Sequence, residues 1–185
     1  MKKQPEITAK TKETLVTAFC HLYAQKPIDK ITVKEITDLA GYNRCTFYKY
    51  FPDVYDLLEY IESDLLSVIK RSWNNENETL FSPNLGVFIK TFSDKEVYLK
   101  AILGDYGSIH FMERLKKELP YDDLAKSFPE YNNLVNYVIE FHLSTSLSLF
   151  RAWIKNRKDI SSEELLKLIH DLYTKGISIF NGIEG

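Results

Sequence analysis

One stretch constrains the fold more than any other: residues 32–51, TVKEITDLAGYNRCTFYKYF. It reads as two short helices joined by a tight turn. Thr32 is a good N-cap, and Glu35 three residues on completes a capping box. Val33, Ile36, Leu39 and Ala40 are spaced for one buried helical face. Gly41 follows where a helix end commonly needs a left-handed residue. Asn43 can cap a second helix from Arg44 to about Tyr50. Phe47 and Phe51 are four apart and point inward. Arg44, Cys45, Thr46, Tyr48, Lys49 and Tyr50 are left for the other faces. The pattern predicts a helix-turn-helix, motif about 31–50, whose second helix carries cationic and hydrogen-bonding groups outward, as a recognition helix requires.

The ordered set Thr32-Val33, Ala40-Gly41 and Thr46-Phe47-Tyr48-Lys49-Tyr50-Phe51 resembles the DNA-binding domain of TetR-family transcriptional regulators. In that family the first helix of the motif opens on a Thr-Val-like pair. The turn is Ala-Gly, and the motif ends on Thr-Phe-Tyr-x-x-Phe. The resemblance covers roughly residues 7–66, about a third of the chain. It implies an N-terminal three-helix head over 1–52 and a helical effector-binding and dimerisation body over 53–185, with 53–73 as the linking helix. The fold class expected is all-α, with about nine helices.

The head's own residues suggest how it would touch DNA. Arg44 and Lys49 are the cations on the exposed helix and can reach a guanine edge or a phosphate. Thr46 and Tyr48 suit phosphate or thymine-methyl contacts. Thr32 and the backbone amide of Val33 sit at a helix N-terminus, which suits a phosphate oxygen. Cys45 and Tyr50 complete the exposed set. The family often carries a lysine one residue after the cap of the linking helix; here that residue is Val54, and Tyr55 beside it is the candidate replacement. Charge agrees with this placement. Residues 1–52 hold 9 Lys or Arg against 5 Asp or Glu, a net of +4, and the remainder holds 15 against 21, a net of −6.

Beyond the head, apolar spacing predicts helices over about 53–73, 84–92, 94–103, 108–119, 130–156 and 162–181. The last two each show two apolar stripes, and one stripe suffices to cover a core. The second stripes, Leu143, Leu147, Phe150 and Ile154 with Ile169, Tyr173, Ile177 and Phe180, are the expected homodimer surface. The body is also rich in aromatics. Trp73, Phe88, Phe92, Tyr98, Phe111, Tyr137 and Phe141, with His142, describe either the wall of a pocket for a small apolar or aromatic effector or an ordinary core. In the family the effector cavity lies in this body, so the resemblance puts the pocket on a par with the core.

Other chemistries leave no trace. There is no phosphate-binding glycine loop, nucleophile elbow or zinc-helix motif, so no enzyme, catalytic residue, metal or cofactor is expected. Cys20 and Cys45 have neither metal-ligand nor disulfide-framework spacing. No apolar run spans a bilayer, and the N-terminus lacks a signal-peptide core, so a cytoplasmic protein without membrane partners is expected. A second resemblance lies near the C-terminus. Phe150-Arg151-Ala152-Trp153-Ile154 followed by Ser161-Ser162-Glu163-Glu164-Leu165 is similar to regulators near the dihydroxyacetone-kinase activator group. It implies an alternative, a co-regulator that acts through a protein partner. The main expectation is a ligand-responsive repressor that binds a palindromic operator as a dimer.

Overall fold

The helical spacing of the apolar residues is realised as helix in every regular element. A computed structural model describes residues 5–73, 94–118 and 134–175. Among these lie eight α-helices, one 3-10 turn and no strand. They are α1 (Pro5–Tyr23), the 3-10 turn Ile28–Lys30, α2 (Val33–Ala40), α3 (Arg44–Tyr48), α4 (Val54–Trp73), α5 (Glu96–Ile102), α6 (Ser108–Glu118), α7 (Val135–Lys155) and α8 (Ser162–Lys175). The expected helix over 84–92 lies outside the described residues.

The described residues fall into two compact units. Those up to Val68, with Lys95–Phe111, form the first; the others form the second. The first unit is thus larger than the expected head of 1–52. The physical reason is burial. Leu57, Ile61 and Leu65 of α4 are fully buried, as are Ala101 and Ile102 of α5. They join Leu15, Val16, Phe19, Ile36 and Phe47 in one core. Each of these side chains except the small Ala101 contributes roughly 1.5–3 kcal/mol by leaving water. Polar ties reinforce it. The Tyr23 hydroxyl donates to the Tyr106 carbonyl at 3.1 Å. Lys95 pairs with Asp64 at 2.7 Å. The fully buried Glu62 carboxylate lies 2.9 Å from His110 Nδ1. Gly107 is required by close packing, since a Cβ there would lie 2.6 Å from the Ile102 carbonyl oxygen.

The second unit is built on α7 and α8. Ile139, His142, Leu143, Phe150 and Trp153 form the buried face of α7, and Leu165, Leu166 and Ile169 that of α8. The Tyr173 hydroxyl donates to the His142 carbonyl at 2.8 Å. Between the helices the Trp153 indole donates to the Ile160 carbonyl at 2.7 Å. Ser161 and Glu164 then exchange backbone-to-side-chain bonds of 2.8 and 3.1 Å, a capping box.

Part of the expected dimer surface is covered within the chain itself. Leu143 and Phe150, like Ile169 on α8, are buried within the chain, while Leu147, Ile154 and Tyr173 are half-buried. Side chains already covered by their own chain have little surface to offer a second copy. The large apolar side chains left exposed at the start of α7 are Leu134, Tyr137, Val138 and Phe141. Ile177 and Phe180 lie outside the described residues.

Candidate nucleic-acid interface

The helix-turn-helix is assembled from short-range hydrogen bonds. Thr32 has extended backbone angles, and its hydroxyl accepts from the Glu35 amide at 3.3 Å. In return the Glu35 carboxylate accepts from the Thr32 amide at 3.0 Å. This reciprocal box starts α2 and is worth about 1 kcal/mol. α2 stops at Gly41, whose φ of 72° is in the left-handed region that glycine adopts without strain. The Tyr42 amide closes the turn on the Thr37 carbonyl at 2.9 Å. Asn43 then caps α3, its Oδ1 accepting from the Thr46 amide at 2.8 Å. α3 has two fewer residues than expected, because Lys49 is its C-cap and Tyr50 closes the final turn.

Burial sorts the side chains of the motif. Phe47 is fully buried and Phe51 nearly so, with ring centroids 5.8 Å apart. Arg44, Cys45, Tyr48, Lys49 and Tyr55 are exposed, and Thr46 and Tyr50 are intermediate. The structure therefore gathers Arg44, Cys45, Tyr48 and Lys49 as available groups on the short α3 segment. Among the described residues, none of the ion pairs involves Arg44, Lys49 or Lys34.

Three expected contacts are altered by local chemistry. Thr46 donates its hydroxyl to Asn43 Oδ1 at 3.0 Å, which leaves its methyl and lone pairs rather than a donor for phosphate. Thr32 donates both its amide and its hydroxyl to Glu35 Oε2, at 3.0 and 2.9 Å. Its donors are thus occupied in the unbound head. At the start of α4, Asp53 Oδ1 takes the amides of Tyr55 and Asp56 at 2.7 and 2.9 Å. Val54 points into the core at 8% exposure. Two amides of that helix start are thus taken by Asp53, and the Tyr55 side chain beside them is exposed.

Sequence reasoning also missed some features. Leu39 was placed on the buried face of α2, yet it is 57% exposed, and Thr37 is buried instead. The Thr37 hydroxyl is satisfied by the Val33 carbonyl at 2.9 Å, so burial leaves no orphan donor. Tyr42, in the turn, adds a third exposed tyrosine beside Tyr48 and Tyr55. A turn residue has no periodicity to reveal it. An open groove of about 370 Å³ lies beside α1 and α2, with Leu39 at its edge, and none of the expected pocket residues lines it.

Those pocket residues are divided. Tyr98 and the buried Phe111 belong to the first unit; Tyr137, Phe141 and His142 belong to the second. Tyr137 and Phe141 are 73% and 62% exposed, so they line no enclosed wall in this chain. His142 is buried, with its ring 4.5 Å from that of Tyr173. Trp73 is the last residue of α4, and Phe88 and Phe92 lie outside the described residues.

The two cysteines are in opposite states. Cys20 is buried, and burial pushes its thiol up to about 12; Cys45 is exposed. A thiol of that kind is almost never a thiolate near neutral pH and stays inert. A chromogenic disulfide reagent is therefore expected to titrate one thiol per native chain and two in denaturant. Two fast thiols in the native protein would contradict the packing of α1.

Comparison with known proteins agrees with this geometry. Residues 12–61 match the family model of bacterial regulatory proteins, tetR family. The fold is that of the crystal structure of a TetR transcriptional regulator from Streptococcus agalactiae 2603V, at 24% identity and a TM-score of 0.58 over 90% of this chain and 95% of that one. It is also similar to the fatty acid degradation regulator FadR from Bacillus halodurans, at 15% identity and a TM-score of 0.65 over 96% of this chain and 98% of that one. No curated protein sequence matches the chain. Among the described residues, no helix is long and apolar enough to cross a membrane.

Proposed function

We infer that the chain is a DNA-binding transcriptional regulator of the tetR type. The observation that carries this reading is the helix-turn-helix itself. Residues 12–61 match that family, and their α3 presents Arg44, Tyr48 and Lys49 outward from a core pinned by Phe47. Cations and hydroxyls on an exposed helix next to a tight turn are the groups that reach phosphates and base edges in a major groove. Arg44 is the first residue of α3, where base contacts concentrate, and Lys49 caps its end, nearer the backbone.

The chain works as a homodimer in this reading. The exposed stripe Leu134, Tyr137, Val138 and Phe141 is a better candidate for the two-fold contact than the stripe buried within the chain. A small apolar or aromatic effector held in the body weakens operator binding, and operator binding weakens effector binding by the same factor. Repression is the output proposed. A second reading, a co-regulator acting through a protein partner, is favoured by one observation: Val54 is buried where the family often places a phosphate-binding lysine.

Selection from a random-sequence duplex pool tests the first reading. The recovered sites are expected to be near-palindromes with half-site centres about 10–10.5 base pairs apart, or a multiple of that. A pool that stays random after repeated selection would favour the partner-protein reading.

A further inference from the structure

The start of α2 holds a carboxylate where a phosphate is expected to sit. Glu35 Oε2 takes the amide and the hydroxyl of Thr32, while Glu35 Oε1 lies 2.6 Å from Lys26 Nζ. Lys26 belongs to the connection that precedes α2, nine residues from Glu35 and just before Pro27. The carboxylate thus has three partners on two oxygens, one of them a cation. Its proton affinity is low in consequence. The Lys26 hydrogen bond, then the Thr32 bonds, hold Glu35 down at about 2, so it stays an anion under any condition used for DNA binding.

A phosphate oxygen approaching Thr32 meets both a committed donor and a negative charge. We propose that Lys26 is a positioning residue for DNA binding: it holds and neutralises Glu35, so that the Thr32 hydroxyl can turn from Glu35 to a backbone phosphate. The inference rests on the DNA-binding reading above. The exchange balances. When the hydroxyl proton turns away, Glu35 keeps the Thr32 amide and the Lys26 ammonium, so both bonds of the capping box remain and the carboxylate is not left bare. Without Lys26 the same rotation strands an anion beside the incoming phosphate. Two unit charges about 6 Å apart repel enough, even in water, to weaken binding several-fold.

Two simpler roles make different predictions. A plain surface ion pair affects stability slightly and leaves DNA affinity unchanged. A lysine that itself touches phosphate loses affinity when removed, whatever stands at position 35. The test is a double-mutant cycle with Lys26→Met, Glu35→Gln and the pair, each bound to a fluorescent random-sequence duplex at about 50 mM salt. Gln at the third helical position still completes a capping box, so all variants keep α2, which thermal melts verify.

Lys26→Met is expected to weaken binding about threefold to tenfold. Glu35→Gln is expected to bind as tightly as wild type or tighter. The double variant is expected to return to within about twofold of Glu35→Gln, since no anion remains to be neutralised. A double variant as weak as Lys26→Met overturns the proposal in favour of a direct phosphate contact. An unchanged Lys26→Met overturns it in favour of a plain ion pair. Absence of wild-type binding overturns the DNA-binding reading, and this inference with it.

Discussion

Phe47→Ala destabilises the N-terminal unit by about 3–5 kcal/mol, the range for truncating a buried phenylalanine in a packed core. Phe47 has no exposed surface, and its ring sits 5.8 Å from Phe51 and 5.6 Å from Tyr48. It lies on α3, the shortest α-helix among the described residues, whose five residues cannot hold themselves together in water. Truncation removes the ring that ties α3 to the core and leaves a cavity under the recognition segment. Domains of ordinary stability have about 5–15 kcal/mol in all, so the loss is a large fraction of the whole. Urea unfolding followed by circular dichroism measures it. Tyr48→Ala is the control. Its side chain is 57% exposed, and its removal is expected to change stability by about 0.5 kcal/mol. Equal effects of the two substitutions would contradict the burial pattern of α3.

The second large effect falls on DNA binding and leaves the fold alone. Arg44→Ala and Lys49→Ala remove exposed cations that share no ion pair with the described residues, so thermal melts are expected to stay at the wild-type value. Their binding signatures differ. Arg44 opens α3, where a side chain reaches base edges, and its loss relaxes discrimination at one base pair by roughly 1–3 kcal/mol. Lys49 closes the helix, and the proposed role for it is a backbone contact. Its loss weakens all sequences alike and lowers the salt slope by about 0.9. Sites selected separately with each variant distinguish the two roles. Loss of discrimination with Lys49→Ala and not with Arg44→Ala would mean that α3 lies in the groove in the opposite sense.

Local chemistry explains how much of the motif could be read from residues alone. Thr32 with Glu35, Gly41 and Asn43 act over three or four positions, and each does in the structure what its type and spacing imply. Phe47 and Phe51 were legible for the same reason: a helix places residues four apart on one side. Leu39 was misread because α2 is only eight residues long, and periodicity over two turns admits more than one buried face. There the small Thr37 is buried, with its hydroxyl turned back to its own helix.

Long-range facts were illegible. Nothing near Lys26 in sequence says that it will meet Glu35, because Pro27 and the 3-10 turn set that approach. Residues 95–111 join the first unit through Ile102, Tyr106 and Phe111, which a local pattern shows only as apolar. The two stripes of α7 look alike in sequence. Which side chains are covered depends on how α8 packs, as where the Tyr173 hydroxyl bonds the His142 carbonyl. The aromatics expected to wall a pocket carry the same ambiguity, since an exposed Tyr137 and a buried Phe111 are equally apolar in sequence.

The central claim is that this chain binds DNA through its N-terminal helix-turn-helix. Salt-dependent affinity of the wild-type protein tests it most directly, measured between about 50 and 200 mM salt on a selected duplex and on a random one. Log affinity is expected to fall linearly with log salt on both. Binding to the selected duplex is expected to be tighter by about a thousandfold or more. Affinity that is equal for the two duplexes, or that does not change with salt, would contradict the claim.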